Sequence, residues 1–422
     1  MYKFAKLQDT AQLTEMARIM IEAYPGFVSL QNTTPEQMAE KMAETNSRTD
    51  VRRFGAFRED KLLGGYLIWE YEMNMRQAMI KAAGLGSVAV DLGHKKEKVA
   101  REIVRHFHST LRAAGASIAL LYPFNSAFYY RMGYGFGTSV HQFRVKPEDL
   151  PAGPSKAHIA RLFEKDAAGL AKFYNAHARR THGLITKSEA DMAQMLKNAA
   201  NKIFAYVDRD VRGYVNFQFK KGSEESGLVN DMVVSELFYD SPEVFWELMA
   251  LLKSQSDQAR YAILNLQDGG LLYTVPDPRN YTDRVLHSGY QEHCRTGHGV
   301  MYRICDVEAF IGDIAGCRFG ELNTVLQFNI SDNFIPENDR AFVLEFKGGQ
   351  CKLARGATPA RGATPDAVLD MGIAEFSSLM MGAVSLASLV KYGKAKISDM
   401  AYLDRVSRGL GLDEGPACAT YF

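Results

Sequence analysis

The spacing of apolar and polar residues predicts alternating strands and helices from the start of the chain. Strands are predicted at 2–6, 53–58, 62–71, 77–83, 86–91, 117–121 and 141–145. Helices are predicted after Asp9, after Thr34-Pro35, over 95–114 and over 125–131. The helix over 95–114 has an apolar stripe of Val99, Ile103, Phe107 and Leu111, so one of its faces should be buried. This first stretch is predicted to form a mixed α/β domain.

The same order of elements appears a second time. Residues 147–154 (PEDLPAGP) are typical of a linker, and a strand, a helix, a hairpin, a strand, a helix and a strand follow it. We therefore predict domains at 1–148 and 155–298, followed by a third domain at 299–422 with further strands and two short helices. The repeated hexamer at 354–365 (ARGATPARGATP) is predicted to be an exposed loop.

Charge and cysteine content exclude several classes of protein. The 422 residues include 50 Lys and Arg against 49 Asp and Glu, and this balance argues against a dedicated nucleic-acid-binding protein. Five cysteines without a CxxC pair predict neither a zinc site nor a disulfide framework. The most apolar stretch, 379–390, is too short for a membrane span, and the first residues contain no apolar segment of a signal peptide. We expect a cytoplasmic protein without a bound metal.

A glycine pattern at 84–89 matches the dinucleotide-binding fingerprint GxGxxA, but its setting is wrong. The fingerprint requires a helix to begin at the glycines, whereas Ser87 to Val90 continues as a predicted strand. We therefore do not predict a nucleotide-dependent dehydrogenase.

The stretch that follows is suited to a pyrophosphate. Val88 and Val90 lie in a strand, Gly93 in a turn, and a basic helix begins next. Unpaired amides of a first helical turn attract anions. The turn and the helix start contain Lys95, Lys96, Lys98, Ala100 and Arg101. Charge alone does not distinguish a pyrophosphate site from a solvated basic face of the helix, since Glu97 and Glu102 of the same segment favour the solvated face.

A second motif, about thirty residues later, favours a cofactor site. Residues 125–135 (NSAFYYRMGYG) predict a short helix that ends at Gly133 and is followed by an aromatic residue. Together with the basic turn, this resembles the GCN5-related N-acetyltransferase (GNAT) fold. The layout of the whole chain is similar to the enhanced intracellular survival (Eis) acetyltransferase family. The resemblance implies two tandem GNAT-like α/β domains with mixed sheets, then a sterol-carrier-protein-like α+β domain.

The resemblance also implies roles for individual residues. The backbones of Val88 and Val90 would pair with the pantetheine arm of acetyl-CoA, and Lys95, Lys96, Lys98 and Ala100 would surround its pyrophosphate. Tyr129 would be the general acid, and the carboxylate of Phe422 the base. Two positions depart from the family pattern: Lys98 stands where a glycine is usual, and Tyr421 stands where an acidic residue is usual.

Two classes of function remain open at this stage. The first is an enzyme that transfers acetyl from acetyl-CoA to a primary amine of an aminoglycoside, a polyamine or a lysine-like peptide by direct attack. The second is a non-catalytic protein that binds a lipid or a partner. The family resemblance further implies a homo-oligomer, a hexamer. The acidic residues Glu70, Glu72 and Asp91 are compatible with a pocket for a cationic amine and equally with solvated strand positions.

Overall fold

The structure is a computed structural model that describes residues 2–26, 32–282, 286–287, 289–354 and 364–422. The chain divides into two compact units. One unit contains Met1–Gly137, Val300–Asp413 and Thr420–Phe422, and the other contains Thr138–Gly299 and Glu414–Ala419. The predicted division at 148 and 298 into three domains stays a prediction, but the first and third predicted domains share one unit.

The first stretch of chain contributes most of one sheet. Its strands are β1 (Lys3–Lys6), β2 (Val51–Arg58), β3 (Lys61–Met75), β4 (Ala78–Val90), β5 (Ile118–Leu121) and β6 (Gly135–Phe136). Its helices are α1 (Thr10–Ala23), α2 (Pro35–Asn46), α3 (Val99–Ala113) and α4 (Ser126–Tyr130). Asp9 caps α1 with its carboxylate, and Thr34 forms a capping box with Gln37 at the start of α2, as the sequence signals predict.

The middle stretch contributes a second sheet. Its strands are β7 (Ser139–Val145), β8 (Ile159–Arg161), β9 (Lys202–Asp208), β10 (Asp210–Lys221), β11 (Asn230–Tyr239), β12 (Tyr261–Leu266) and β13 (Cys294–His298). Its helices are α5 (Ala167–Ala178), α6 (Glu189–Lys197) and α7 (Pro242–Lys253).

The last stretch adds one strand to the first sheet and builds a third sheet. Its strands are β14 (Met301–Ile304), β15 (Thr324–Ser331), β16 (Ala341–Lys347), β17 (Gln350–Leu353), β18 (Ala367–Gly372) and β19 (Ala395–Ile397). Its helices are α8 (Val307–Asp313), α9 (Ile373–Met380), α10 (Leu386–Lys391) and α11 (Leu403–Leu410). The third sheet has the order β17-β16-β15-β18-β19, and Phe328 of β15 packs edge-on against Phe376 of α9. Most of the predicted loop at 354–365 lies outside the described residues.

The first two sheets have the same topology. Their orders are β1-β2-β3-β4-β5-β14-β6 and β8-β9-β10-β11-β12-β7-β13. In each, one central pair is parallel: β4 with β5, and β11 with β12. The repeat inferred from element order is therefore present in the folded chain.

One pair of strands is exchanged between the two sheets. The strand predicted at 141–145 as part of the first domain does form, as β7, but it pairs with β12 and β13 of the second sheet. Likewise, β14 does not belong to the third sheet but fills the corresponding place in the first, between β5 and β6. Strand pairing of this kind is set by hydrogen-bond partners far away in sequence, and no local pattern encodes it.

Two further boundaries differ from the sequence-based prediction. The two strands predicted at 77–83 and 86–91 form one continuous strand, β4, which pairs with β3 along its length. The helix predicted from Lys95 begins only at Val99, because Lys96 and Lys98 have φ values of 64° and 67°, outside the helical region. The predicted apolar stripe of α3 is nevertheless buried in full.

Candidate active site

The strands β4 and β5 separate partway along their length and leave an open edge. Their parallel pairing covers Ala82 to Gly84 of β4 and ends there. β4 continues to Val90, and in the described chain no other strand pairs with this edge beyond Gly84. The glycines of the rejected dinucleotide fingerprint thus lie in the middle of a strand. Unpaired strand edges offer amides and carbonyls to an extended ligand.

A β-bulge reshapes this edge next to the predicted pantetheine contacts. Gly65 of β3 pairs with Ala89 and Leu67 pairs with Gly86, so β4 has one residue more than β3 in this interval. Ser87 has a φ of 52°, a backbone conformation that turns the strand locally. The carbonyl of Val88 accepts a hydrogen bond of 2.6 Å from the hydroxyl of Tyr24.

The predicted pyrophosphate turn connects β4 to the start of α3. Lys98 precedes the helix with a φ of 67°, and its side chain does not cap the helix. Glycine adopts this left-handed conformation without strain, which explains why glycine is usual at this place in the wider fold. Lys98 adopts this left-handed backbone conformation although it carries a side chain. The first-turn amides, including that of Ala100, therefore lack a side-chain cap and sit beside exposed lysines.

The acidic residues beside this turn are already engaged. Glu97 pairs with Arg58 at 2.7 Å and with His94 at 3.2 Å, and Glu102 pairs with Arg105 at 2.6 Å. The exposed Lys95, Lys96 and Lys98 form no ion pair among the described residues. The positive charge of the turn is therefore not neutralised locally, which favours an anion site over a balanced solvated face.

Tyr129 lies buried in α4, with only 2% of its surface exposed. Phe124, Phe128 and Tyr134 pack against its ring edge-on. Burial, with a further contribution from Tyr24, raises the pKa of Tyr129 well above its ordinary value of 10. The phenol is therefore a neutral donor at physiological pH.

The residue Phe422 lies on β4 where the two strands separate. A Cβ at Gly84 would be 2.6 Å from the Phe422 ring, and a Cβ at Gly86 would be 3.1 Å from its carboxyl carbon. The ring also contacts Tyr71 and Tyr122, with centroids 5.6 Å and 5.4 Å away. The structure thus brings the last residue of the sequence to the open edge of β4.

Aromatic side chains line the surroundings of this carboxyl group. Tyr421 stacks on Tyr122 at 5.3 Å, and the Tyr122 hydroxyl donates a hydrogen bond to the Thr420 carbonyl. Trp69, opposite Gly84 on β3, has a buried indole Nε1 without a hydrogen-bond partner among the described residues. This nitrogen is 3.4 Å from the position of a Cβ at Gly86, and so it lies near the Phe422 carboxyl group.

Sequence analysis missed four of these residues: Tyr24, Trp69, Tyr71 and Tyr122. Tyr24 is the C-cap residue of α1, Trp69 and Tyr71 lie in β3, and Tyr122 directly follows β5. None of them stands in a motif with a characteristic spacing. Two of the proposed acidic residues have other partners: Asp91 pairs with Arg18 at 2.7 Å, and Glu70 pairs with Arg52. These two ion pairs favour the structural explanation for Glu70 and Asp91.

Comparison with known protein families agrees with this geometry. Residues 5–137 match the acetyltransferase (GNAT) domain family, and residues 307–419 match the sterol carrier protein domain family. The chain thus contains an acetyltransferase domain of the GNAT class and, later in the sequence, a sterol carrier protein domain. GNAT domains use acetyl-CoA as their cosubstrate, so the predicted acetyl-CoA-dependent N-acetyltransferase is confirmed at the level of the class.

Individual relatives agree with this class. The chain is 25% identical over 341 residues to an uncharacterized N-acetyltransferase of Streptomyces avermitilis, with 76% of each chain covered. Solved structures with the same fold include a GCN5-related N-acetyltransferase of Kribbella flavida (20% identity, TM-score 0.78, 100% and 98% covered). They also include Eis1 of Mycobacterium abscessus (19% identity, TM-score 0.78, both chains fully covered). The predicted GNAT acetyltransferase domain and the fold class are confirmed, and the likeness to Eis1 is one of fold.

No group of three or more His, Cys, Asp or Glu side chains in the described ranges is arranged to hold a metal ion. No helix in the same ranges has both the length and the apolar character that a membrane span requires.

Proposed function

We propose that the protein transfers the acetyl group of acetyl-CoA to a cationic primary amine at the open edge of β4. The observation that supports this best is that two candidate proton-transfer groups flank one short stretch of that strand. The carboxyl group of Phe422 lies beside Gly86. Tyr129 lies near Tyr24, whose hydroxyl binds Val88, two residues further along. The two groups are thus associated with positions two residues apart on β4, on either side of the bulge at Ser87.

The open edge and the basic turn fit the two polar parts of the cosubstrate. Val88 and Val90 lie beyond Gly84, where β4 no longer pairs with β5, so backbone groups on that edge can pair with the amides of the pantetheine arm. The turn of Lys95, Lys96 and Lys98 and the first-turn amides near Ala100 then face the pyrophosphate.

The substrate ammonium group loses two protons in the reaction, and the leaving sulfur gains one. The carboxylate of Phe422 takes a proton from the substrate ammonium, directly or through water, because an α-carboxyl with an ordinary pKa of about 3.5 is ionised at neutral pH. The neutral amine attacks the thioester carbonyl, so that a C–N bond forms and the C–S bond breaks. The sulfur leaves as a thiolate, to which the neutral Tyr129 phenol donates a proton. The attacking nitrogen loses its second proton as the amide forms, and this proton restores the Tyr129 phenol through water.

The surroundings of the carboxylate support a cationic acceptor. Tyr71 and Tyr122 pack against the Phe422 ring, Trp69 stacks on Tyr71, and Tyr421 stacks on Tyr122, so the carboxyl group lies in an aromatic neighbourhood. Aromatic faces and a carboxylate both attract an alkylammonium group before it loses its proton. Whether the acceptor is an aminoglycoside, a polyamine or a lysine-like peptide does not follow from this chemistry.

The role of Tyr129 is tested by Tyr129→Phe, with Tyr130→Phe for comparison. A positioned acid contributes about 10²–10⁴ in rate, so Tyr129→Phe should lower kcat by that order while CoA binds with nearly unchanged affinity. The hydroxyl of Tyr130 instead contacts Glu375 and Lys394, and its removal should cost much less. A large loss for Tyr130→Phe with a silent Tyr129→Phe would show that the acid has been misassigned.

The role of the Phe422 carboxylate is tested by adding one glycine after Phe422. This variant keeps the aromatic ring and moves the carboxylate by one residue. We expect a folded protein that binds CoA but releases thiol slowly when an amine is present. An unchanged rate of acetylation would refute the role of the carboxylate and leave Phe422 as a packing residue.

The non-catalytic alternative is not favoured, because the GNAT domain match covers the segment that contains the candidate chemistry. The predicted hexamer, the cytoplasmic location and the absence of a nucleic-acid partner stay predictions.

A further inference from the structure

A cavity of about 460 Å³ lies beside the start of β2, where β1 has already ended. β1 pairs with β2 only over Phe54 to Phe57, so in the described chain the earlier residues of β2 have no partner strand on that side. The loop from β1 to α1, the last turn of α2 and the loop after α2 complete the lining. All of the lining belongs to one compact unit.

A buried positive charge without a counter-charge faces this cavity. Arg53 of β2 is only 6% exposed, and it forms no ion pair in the part of the chain that the structure describes. Burial lowers the pKa of Arg53 to about 10, which still leaves the guanidinium group charged at neutral pH. A buried charge without a partner costs stability, so packing alone does not account for an arginine at this position.

The guanidinium group of Arg53 is held in place from one side only. The Asn46 Oδ1 atom accepts a hydrogen bond of 3.3 Å from the Arg53 Nε atom, and the Asn46 Nδ2 atom donates one of 2.9 Å to the Leu7 carbonyl. The two terminal nitrogens of Arg53 make no hydrogen bond with any described residue, and neither is sealed off by protein atoms. These two nitrogens are the pair with which a guanidinium group binds a carboxylate or a phosphate side by side.

The rest of the lining adds to the positive charge. Four of its twelve residues are basic and none is acidic: Lys6, Arg48, Arg52 and Arg53. Arg48 and Arg52 have carboxylate partners that lie outside the lining. The exposed Lys6 forms no ion pair within the described ranges. The end of α2 contributes a negative partial charge of about half a unit, which is less than the two full charges of Lys6 and Arg53.

The size and the apolar part of the cavity define the class of ligand further. Leu7, Leu13 and Val51 line it and are all buried. A water molecule takes about 30 Å³ in the liquid, so the space is many times larger than a bare ion requires. The volume lies within the range of about 300–1,000 Å³ that is usual for small-molecule pockets.

We propose that this cavity binds a small organic oxyanion, whose carboxylate or phosphate monoester pairs with Arg53 and Lys6 while a short aliphatic body lies against the apolar wall. The site is separate from the proposed acetyl-CoA site. Leu13 is in the first turn of α1, whereas Tyr24, at the other end of this helix, binds Val88. Eleven residues of helix separate these two side chains by roughly 16 Å along the axis.

The first experiment titrates the full chain with pentanoate, monobutyl phosphate and inorganic phosphate by calorimetry. Pentanoate or monobutyl phosphate should bind at one site per chain, and at least about tenfold more tightly than inorganic phosphate, because each buried methylene group adds to the affinity. The ratio between the two organic anions shows which oxyanion the cavity prefers. Pentanamide has the same shape as pentanoate without its charge, and it should not bind measurably.

Arg53→Met separates a ligand-binding role from a structural one. Methionine keeps much of the length of the side chain and removes the charge, so affinity for the organic anions should fall about 10–100-fold. The thermal midpoint of the ligand-free protein should stay the same or rise, because an unpaired buried charge has been removed. Arg58→Met is the matched control, since Arg58 lies on the same strand, pairs with Glu97 and does not line the cavity.

Lys6→Gln tests the same site at an exposed position, where the substitution should leave the fold intact. Affinity for the organic anions should fall several-fold and depend less on salt concentration. Lys3→Gln is its control, an exposed lysine of the same strand that does not line the cavity.

Several outcomes would overturn the proposal. It is wrong if neither organic anion binds, if pentanamide binds as tightly as pentanoate, or if Arg53→Met and Lys6→Gln both bind like the wild-type protein. Equal affinity for inorganic phosphate would refute the aliphatic part of the ligand. Displacement of the probes by coenzyme A would place them at the lysines before α3 instead. The proposed acetyl transfer does not depend on any of these results, because thiol release from acetyl-CoA tests it separately.

Discussion

Replacing Gly84 with alanine should displace Phe422 from the open edge of β4 while the protein stays folded. The new methyl carbon would lie 2.6 Å and 2.7 Å from two carbons of the Phe422 ring. Carbon atoms in contact are normally about 3.5–4.0 Å apart, so the ring must retreat by roughly 1 Å. Because Phe422 lies in no strand or helix, its retreat shifts the carboxyl group without moving a strand.

The expected effect on catalysis is much larger than the effect on stability. A shift of about 1 Å in a reacting group can cost about 10² in rate, and loss of a positioned base costs about 10²–10⁴. We therefore expect kcat/KM to fall about 100-fold, which corresponds to about 2.7 kcal/mol of transition-state stabilisation. Overpacking of a rigid core costs typically 1–3 kcal/mol, and we expect less here because the chain end can yield.

The assay follows thiol release from acetyl-CoA in the presence of a primary amine, with CoA affinity measured separately. Gly84 pairs on both sides, with Trp69 and Leu120, so its own backbone is not free to hold the cosubstrate and CoA affinity should not change. Gly297→Ala is the control, a strand glycine whose Cβ would make an ordinary 3.5 Å contact with Val140. If Gly84→Ala is folded, binds CoA and acetylates at the wild-type rate, the assignment of the Phe422 carboxylate as the base is wrong.

Three further predictions concern backbone strain, a buried ion pair and pH. Lys98→Gly should raise the free energy of unfolding by about 1 kcal/mol, because glycine adopts the φ of 67° without strain. It should also weaken CoA binding slightly through the lost charge, as calorimetry can measure. A lower free energy of unfolding in denaturant titration would contradict the prediction. Arg303→Met should lower the unfolding free energy by about 3–5 kcal/mol, because it leaves the Asp332 carboxylate buried without its partner; a loss below 1 kcal/mol in denaturant titration would contradict this. Burial, followed by Arg303 and Arg112, lowers the pKa of His108 below its ordinary 6.5, so the unfolded chain binds the proton better. The free energy of unfolding should therefore have its full value above about pH 6.5 and fall by up to about 1.4 kcal/mol per pH unit below it. His108→Gln should reduce this dependence on pH, and identical slopes for the two proteins would refute the assignment.

Local patterns in the sequence were sufficient for most single elements and for the repeated architecture. The caps of α1 and α2 and the buried stripe of α3 depend on residues three or four positions apart, which the sequence displays directly. The candidate turn at Lys95 to Lys98 and the position of Tyr129 also stand in contiguous motifs. Their interpretation as a cosubstrate site came from the family resemblance, because charge alone did not distinguish an anion site from a solvated face.

Tertiary structure alone decided the strand exchange and the composition of the site. No local feature of β7 or β14 shows which sheet it joins, because strand partners are chosen by hydrogen bonding and packing across more than a hundred residues. For the same reason, the sequence did not predict that Tyr24, Trp69 and Tyr122 lie in the site, because each is an ordinary aromatic residue in its own segment. Only folding brings the last residue of the sequence onto Gly84 and Gly86 and places the sterol carrier protein domain beside α3, because distances between segments are set by the packed core and not by sequence spacing.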